Sequence, residues 1–311
     1  QADLVQAGLL KNPVFGGAVR APLDPGHVMN FELNVVQDFT ELVYLSARKR
    51  VAEAQLEATK MRVGSAVMRL ARDVEMAYLH AQAAEQMVAM RRIVAQAAEA
   101  AAELAARQLE AGTRNELETA NDQAAFEQVS LDLSRSEAEA VGAREQLVRL
   151  LGLWGGDVAR LKLPARLPEI PEADPSLDRL ESLAIEKRMD LAAASRDVEM
   201  LSRALALAKD SRWVPGVSVG ASYERKPEGI RVLGPTASLE VPLFDQKQAQ
   251  IARLEAQARQ AKLHEEHLAI EIRSDVRAAR ARLVNARAIA QRYKTKLVPI
   301  RERIVRLSED Q

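Results

Sequence analysis

Cysteine is absent from the 311-residue sequence, which excludes disulfides, thiolate metal sites and cysteine nucleophiles. Aromatic residues are scarce, at 4%, and 44 Lys plus Arg balance 44 Asp plus Glu. Nucleic-acid recognition wants a basic stripe with aromatic platforms, so no nucleic-acid partner is expected. No run of about 18 apolar residues is present, so no transmembrane helix is expected. The start, "QADLVQAGLL", has no basic and apolar leader, although a removed leader or a late start would look the same. What the chain does have is alanine, and much of its 48% apolar content is of this kind. That composition suits thin helices packed closely in a superhelix.

Against this helical background two places alternate with a period of two. Pro13–Arg20 and Met29–Val36 bracket the turn "APLDPGH" and read as a hairpin. "PGVSVGASYE", Pro215–Glu224, leads through "KPEG" to a second strand expected over Thr236–Leu243. Between them, Glu41–Ala111 holds no proline and one glycine, Gly64, and predicts about 105 Å of helix. "EAGTRNE" breaks it at Gly112, and Asn115 has Glu118 three residues on, in capping-box spacing. The next helix, Asn115–Leu151, carries two heptad seams. Leu117, Ala120, Ala124, Leu131, Ala138, Val141 and Val148 form one, interrupted by Glu127, Ser134 and Glu145. Phe126, Val129, Leu133, Ser136, Ala140, Ala143, Leu147 and Leu150 form the other. A two-stranded coiled coil needs one seam per helix, so two seams imply a neighbour on each side and a curved wall of helices. A Pro/Gly-rich segment follows, then one helix over Leu177–Ser211 and a last one from Gln246 onward, interrupted only by Pro299.

The chain also repeats itself. A shift of 202 places Pro13 on Pro215, Glu53 on Glu255, Lys60 on Lys262 and Asp73 on Asp275. The order of hairpin then long helix recurs with it, so the unit is duplicated. Two hairpins from one chain cannot close a barrel, which needs about eight strands. Their apolar faces must meet other copies, lipid, or both, unless they are small soluble hairpins capping a coiled coil.

The residues in this order resemble the TolC-type outer-membrane efflux proteins, the outer-membrane factors of tripartite pumps. "ARQLEAGTRNELETANDQAAFEQ" resembles the family's periplasmic helical tip. "EKRMDLAAASRDVEMLSRALALAKDSRWVPGVSVGASYE" resembles the stretch that leads into the second hairpin, and "LEVPLFDQKQAQIARLEAQARQA" the return from strand to helix. Met189 stands where the family usually has proline, which puts the local turn in doubt. Family members also have an N-terminal helix and a return helix that this sequence does not contain, so a fragment is expected.

The resemblance implies a mainly α fold with two β-hairpins, in which long antiparallel coiled-coil-like helices form an α-barrel and the strands of a trimer form a twelve-stranded β-barrel. Its expected organisation is a hairpin over 1–40, a helical hairpin over 41–151 with its tip near 112, and an equatorial segment over 152–176. A tunnel helix over 177–212, a second hairpin over 213–244 and a long tunnel helix over 245–311 complete it. It implies a homotrimer in outer-membrane lipid with a periplasmic extension, docked to a periplasmic adaptor and an inner-membrane pump. The function implied is a passive exit duct for small molecules or metal ions. A type I secretion duct and a soluble periplasmic coiled-coil adaptor or scaffold remain alternatives, and the transported substrate is not legible.

On a membrane strand polar side chains face the lumen, which makes Asn30, Glu32, Asn34, Ser218, Ser222, Glu224 and Glu240 lumen candidates. Arg107, Gly112, Thr113, Arg114 and Leu117 are the adaptor-docking candidates. His264-Glu-Glu-His267 has i, i+3 spacing, where a zinc peptidase needs i, i+4 and a third ligand, so it reads as a solvated face. His27 and His80 are isolated, and the carboxylates follow ordinary helix pairing. No metal, cofactor or catalytic site is expected, and the protein is not expected to be an enzyme.

Overall fold

The computed structural model describes residues 1–21, 29–171, 178–213, 216–226 and 228–309. Most of "APLDPGH" with His27, together with Pro175, Pro215 and Pro227, lies outside them. The elements are α1 (Ala2–Ala7), β1 (Val14–Arg20), β2 (Asn30–Asp38), α2 (Thr40–Glu110), α3 (Glu116–Leu151), α4 (Gly156–Arg160), α5 (Leu180–Lys187), α6 (Met189–Asp210), β3 (Val217–Arg225), β4 (Arg231–Leu239), α7 (Gln248–Arg292), a π-helical turn at Tyr293–Leu297, and α8 (Val298–Glu309). They fall into two compact units, residues 66–176 and residues 1–65 with 177–311, so that α2 contributes to both.

In the unit of residues 66–176, α2 and α3 form a helical hairpin with an alanine core. Ala77, Ala81, Ala84, Ala143 and Leu147 are buried, with Val74, Tyr78, Ala140, Leu150, Leu161 and Leu163 packed around them. Three cross-helix ion pairs flank this core of small side chains: Arg91–Asp132, Arg92–Glu137 and Arg144–Glu85, each 3.0 Å. The two seams of α3 part company here. The one through Phe126, Leu133, Ala143 and Leu147 is covered, whereas the one through Leu117, Ala120, Ala124, Leu131, Ala138 and Val141 is exposed until Val148. Both ends of the turn follow local chemistry. Gly112 has φ +73°, its N–H donates to Leu109 O at 2.9 Å, and Thr113 N–H donates to Gln108 O at 2.9 Å. This is a Schellman ending with glycine in the left-handed region. Asn115 Oδ1 then accepts from Glu118 N–H at 2.8 Å and caps α3.

In the other unit, four antiparallel strands lie in the order β1-β2-β3-β4. The two hairpins therefore pair with each other along β2 and β3, so the strand that begins at Val217 finds both its partners within the chain. The open edges of the sheet belong to β1 and β4. The last strand also sits earlier than the expected Thr236–Leu243. Gly234-Pro235 reads as punctuation, but β4 is an edge strand, where a proline is tolerated, and Pro235 pairs opposite Ala221.

The single helix expected over Leu177–Ser211 is two helices, α5 and α6, with Arg188 extended between them (ψ 122°). Met189 is the first residue of α6, the position at which proline is favoured. Here a fork holds the turn without one: Arg188 Nε donates to Asp190 Oδ1 at 3.0 Å and Nη2 to Oδ2 at 2.6 Å. The Met189 sulfur packs over Gly64 of α2, where a Cβ would lie 2.5 Å from it. Ala193, Ala194 and Ala208 of α6 and Ile272 of α7 are buried. Near the end of the chain Pro299 lies in the first turn of α8, and the preceding turn widens to π geometry. A proline ring clashes with the carbonyl four residues back, and local widening relieves that clash.

Candidate membrane-spanning sheet and helical turn

Antiparallel pairing puts directly opposed residues on the same face, so the register sorts the sheet into two faces. Phe15, Val19, Phe31, Leu33, Val35, Val219, Ala221, Tyr223, Leu233, Ala237 and Leu239 share one of them. The other carries Arg20, Asn30, Glu32, Asn34, Asp38, Ser218, Ser222, Glu224, Thr236 and Ser238. Exposure is inverted relative to a water-soluble sheet. Along β2 the polar Asn30, Glu32 and Asn34 are half-buried, while Phe31, Leu33 and Val35 are exposed. Phe15 is 77% exposed and Leu233 76%.

Polar groups on the second face satisfy one another. Arg20 Nη2 lies 3.3 Å from Glu32 Oε2, and Asn30 Nδ2 donates to Glu224 Oε1 at 3.0 Å. Ser218 and Ser238 hydroxyls meet at 2.6 Å. Glu32 and Glu224 stand directly opposite each other across β2 and β3, and Asn34 stands opposite Ser222. Six of the seven lumen candidates therefore share one polar face. Glu240 lies one residue past the end of β4, not on a strand; its N–H donates to Gly216 O at 2.9 Å and its carboxylate leans over Gly216. The sequence reading missed Thr236 as a neighbour of Gly220, and Arg20, whose alternation with Ala18 and Gly16 was the available signal.

Glycine lets the strands approach. A Cβ on Gly220 would lie 2.3 Å from Val35 O, a backbone atom. The passage from strand to helix is tied as well. Asp38 Oδ1 accepts from Thr40 N–H at 2.8 Å, Thr40 Oγ1 accepts from Val217 N–H at 2.6 Å, and Phe39 N–H donates to Val217 O at 2.8 Å.

At the helical turn the five docking candidates differ in kind. Arg107, Thr113 and Leu117 are exposed, Leu117 at 72%. Thr113 Oγ1 donates to Gln108 O at 3.0 Å, and Arg107 lies 3.6 Å from Glu103. Arg114 is half-buried and folded back on the turn, bonded to Asp122, 3.4 Å from Gln108 Oε1 and 3.7 Å from Glu118. It is a clamp of the turn, and Leu117 is the free apolar side chain.

His264 and His267 are exposed on α7, and His80 lies 4.0 Å from Glu139. Among the described residues no three His, Asp or Glu side chains gather as metal ligands, and no helix is long and apolar enough to cross a membrane.

Residues 23–153 match the family model described as outer membrane efflux protein. No curated protein sequence matches. Among solved structures, the Campylobacter jejuni CmeC outer membrane channel is similar at 15% identity and TM-score 0.73, over 97% of this chain and 70% of that one. The Vibrio cholerae outer membrane protein VceC is similar at 16% identity and TM-score 0.62, over 99% and 76%. The open state of the Neisseria gonorrhoeae MtrE outer membrane channel is similar at 17% identity and TM-score 0.62, over 94% and 73%. The resemblance carried by the sequence is met by a family model over residues 23–153 and by likeness of fold to outer-membrane channels over nearly the whole length of the chain.

Proposed function

We propose that this protein is the outer-membrane exit duct of a tripartite efflux system. The observation that carries it is the inverted sheet, with an exposed apolar face, a polar face of mutually bonded side chains, and open edges at β1 and β4. Such a sheet needs lipid on one side, water on the other and more strands at both edges. Three copies supply twelve strands, with Asn30, Glu32, Asn34, Ser218, Ser222 and Glu224 toward the lumen and the opposite face toward outer-membrane lipid.

In this reading residues 1–40 and 213–244 form the barrel, while 41–151, 177–212 and 245–311 form the helical tunnel outside the membrane, joined through 152–176. The turn at Arg107, Gly112, Thr113 and Leu117 meets a periplasmic adaptor, which links the duct to an inner-membrane pump. Arg114 keeps that turn in shape. The duct is passive and performs no chemistry.

The test is conductance of the purified protein in planar bilayers, together with its mass in detergent. A trimer that conducts, and whose preference for cations falls in Glu32→Gln with Glu224→Gln, supports the proposal. A monomer without conductance refutes it. Leu117→Asp tests the adaptor contact separately: it should abolish export while trimer mass and conductance stay unchanged.

A further inference from the structure

Where β2 passes into α2 and α6 into β3, two cations have no carboxylate to face. Arg212 lies between the end of α6 and Val217, the first residue of β3. Its guanidinium carbon is 4.3 Å from the centre of the Trp213 ring, the geometry of a cation–π pair. Its Nε is buried without a hydrogen-bond partner. The second cation is Lys247, whose ammonium donates to the hydroxyl of Ser211, the residue before Arg212, at 2.8 Å. Lys247 is held at φ +60°, a backbone that a residue with a Cβ keeps only where its surroundings hold it there.

The acidic groups of this junction serve other partners. Asp38 takes Lys11 at 3.1 Å, Glu41 takes Arg48 at 2.9 Å, and Asp245 Oδ1 accepts the N–H of Lys247 at 2.8 Å. Among the described residues no carboxylate, Asp210 included, lies within ion-pair distance of Arg212 or of the Lys247 ammonium. Ser211 and Lys247 also line a cavity of 360 Å³ with Tyr44, Leu207, Ala208 and Leu254. That leaves room beside the lysine for a phosphate and the glycerol it carries.

The surroundings are apolar and open. Trp213 is 59% exposed and Phe244 92%, and Val241 and Leu243 are exposed as well. Those last three follow Leu239, which ends the apolar face of the sheet on this side. Tryptophan concentrates where the apolar layer of a membrane meets its headgroups, since its ring is apolar and its N–H seeks a polar partner. Arginine holds phosphate through a fork of parallel N–H donors. A soluble anion would satisfy the cations and leave the apolar side chains in water. A lipid satisfies both.

We propose that Arg212 and Lys247 hold the phosphate of a phospholipid in the leaflet nearest the helices, with Trp213 seated at the start of its acyl chains. The site rests on the duct reading and adds a fixed depth to it, with the junction of sheet and helices held at headgroup level.

The test uses the full-length protein in lipid discs. Tryptophan fluorescence is read in lipid brominated near the headgroup and in lipid brominated at the chain end, and Trp213→Phe identifies the share owed to Trp213. The shallow label should quench that share more strongly. Phosphatidylglycerol carried through detergent purification is then counted by mass spectrometry. Arg212→Gln with Lys247→Asn should lower the count about fivefold per cation removed, while trimer mass and conductance are kept. Asparagine suits the left-handed backbone at 247. Arg212→Lys, which keeps the charge and loses the fork, should fall between the two. Trp213 untouched by the shallow label in a conducting trimer overturns this inference and leaves the duct standing. A lipid count unchanged in the double variant overturns it too, as does displacement of the lipid by inorganic phosphate, the mark of a soluble-anion site. A protein that neither inserts nor conducts refutes both.

Discussion

Leu33 and Asn34 are neighbours on β2 that point to opposite faces, and they separate a lipid-facing sheet from a soluble one. Leu33 pairs between Gly17 and Tyr223, with strands on both sides, in the central part of a nine-residue strand. Nine residues at about 3.3 Å, tilted about 45°, span roughly 20 Å, which places Leu33 near the middle of the apolar layer. Leu33 is already 46% exposed, so in water Leu33→Arg would change stability by no more than about 0.5 kcal/mol. Against lipid the same change costs about 2–4 kcal/mol, or roughly 30-fold to 700-fold in the insertion equilibrium. Asn34→Arg, on the polar face opposite Ser222 and Gly16, meets water under the duct reading and should be the milder change. The assay is reversible folding into lipid vesicles, titrated with denaturant. Equal, small losses for both variants would refute the assignment of the faces.

Gly220→Ala should destabilise the sheet more than Gly16→Ala, because Gly220 faces Val35 backbone oxygen while Gly16 faces the movable Asn34 side chain; denaturant midpoints in vesicles read the difference. Gly112→Ala meets no atom within 4 Å, so its cost is the left-handed backbone alone, about 1–2 kcal/mol, read as a lowered thermal midpoint. The Arg188 fork holds the Asp190 carboxyl below the usual carboxylate range. Its stabilisation is therefore present above the unfolded value near 4 and lost as pH falls through the lowered folded value. Asp190→Asn should flatten the pH dependence of stability below about pH 4 and leave that above it unchanged.

Local chemistry made the helical turn legible: Gly112 and Asn115 fix it with bonds that reach no further than five residues. Of the two seams on α3 one is covered by α2 and the other is exposed, and the sequence did not say which would be which. The break at Arg188 left no such mark, because no glycine or proline sits there and the fork with Asp190 looks like any i, i+2 charge pair. β4 was misplaced because Gly234-Pro235 punctuates a central strand but not an edge. The pairing of β2 with β3 joins residues some 180 positions apart, and no local pattern encodes a partner that distant. Arg114 shows the same limit at the candidate site: its charge reads as exposed, yet Asp122 and Glu118, on the following helix, turn it inward.

That distant pairing sets an order of events during synthesis. Asp38 has no strand partner until Ser218 has been made, so the free edge of the first hairpin must wait while all of α2 to α6 is added. Closing the intervening loop costs about 2.6 kcal/mol more than closing the nine-residue loop of the first hairpin. Pairing becomes favourable once α2 and α6 have brought Thr40 and Val217 within reach of their 2.6 Å bond. Meanwhile Phe15, Phe31 and Leu33 travel on a two-stranded ribbon with an open edge, the kind of surface that captures other unfinished chains. The longer the helices take to dock, the longer that edge stays open.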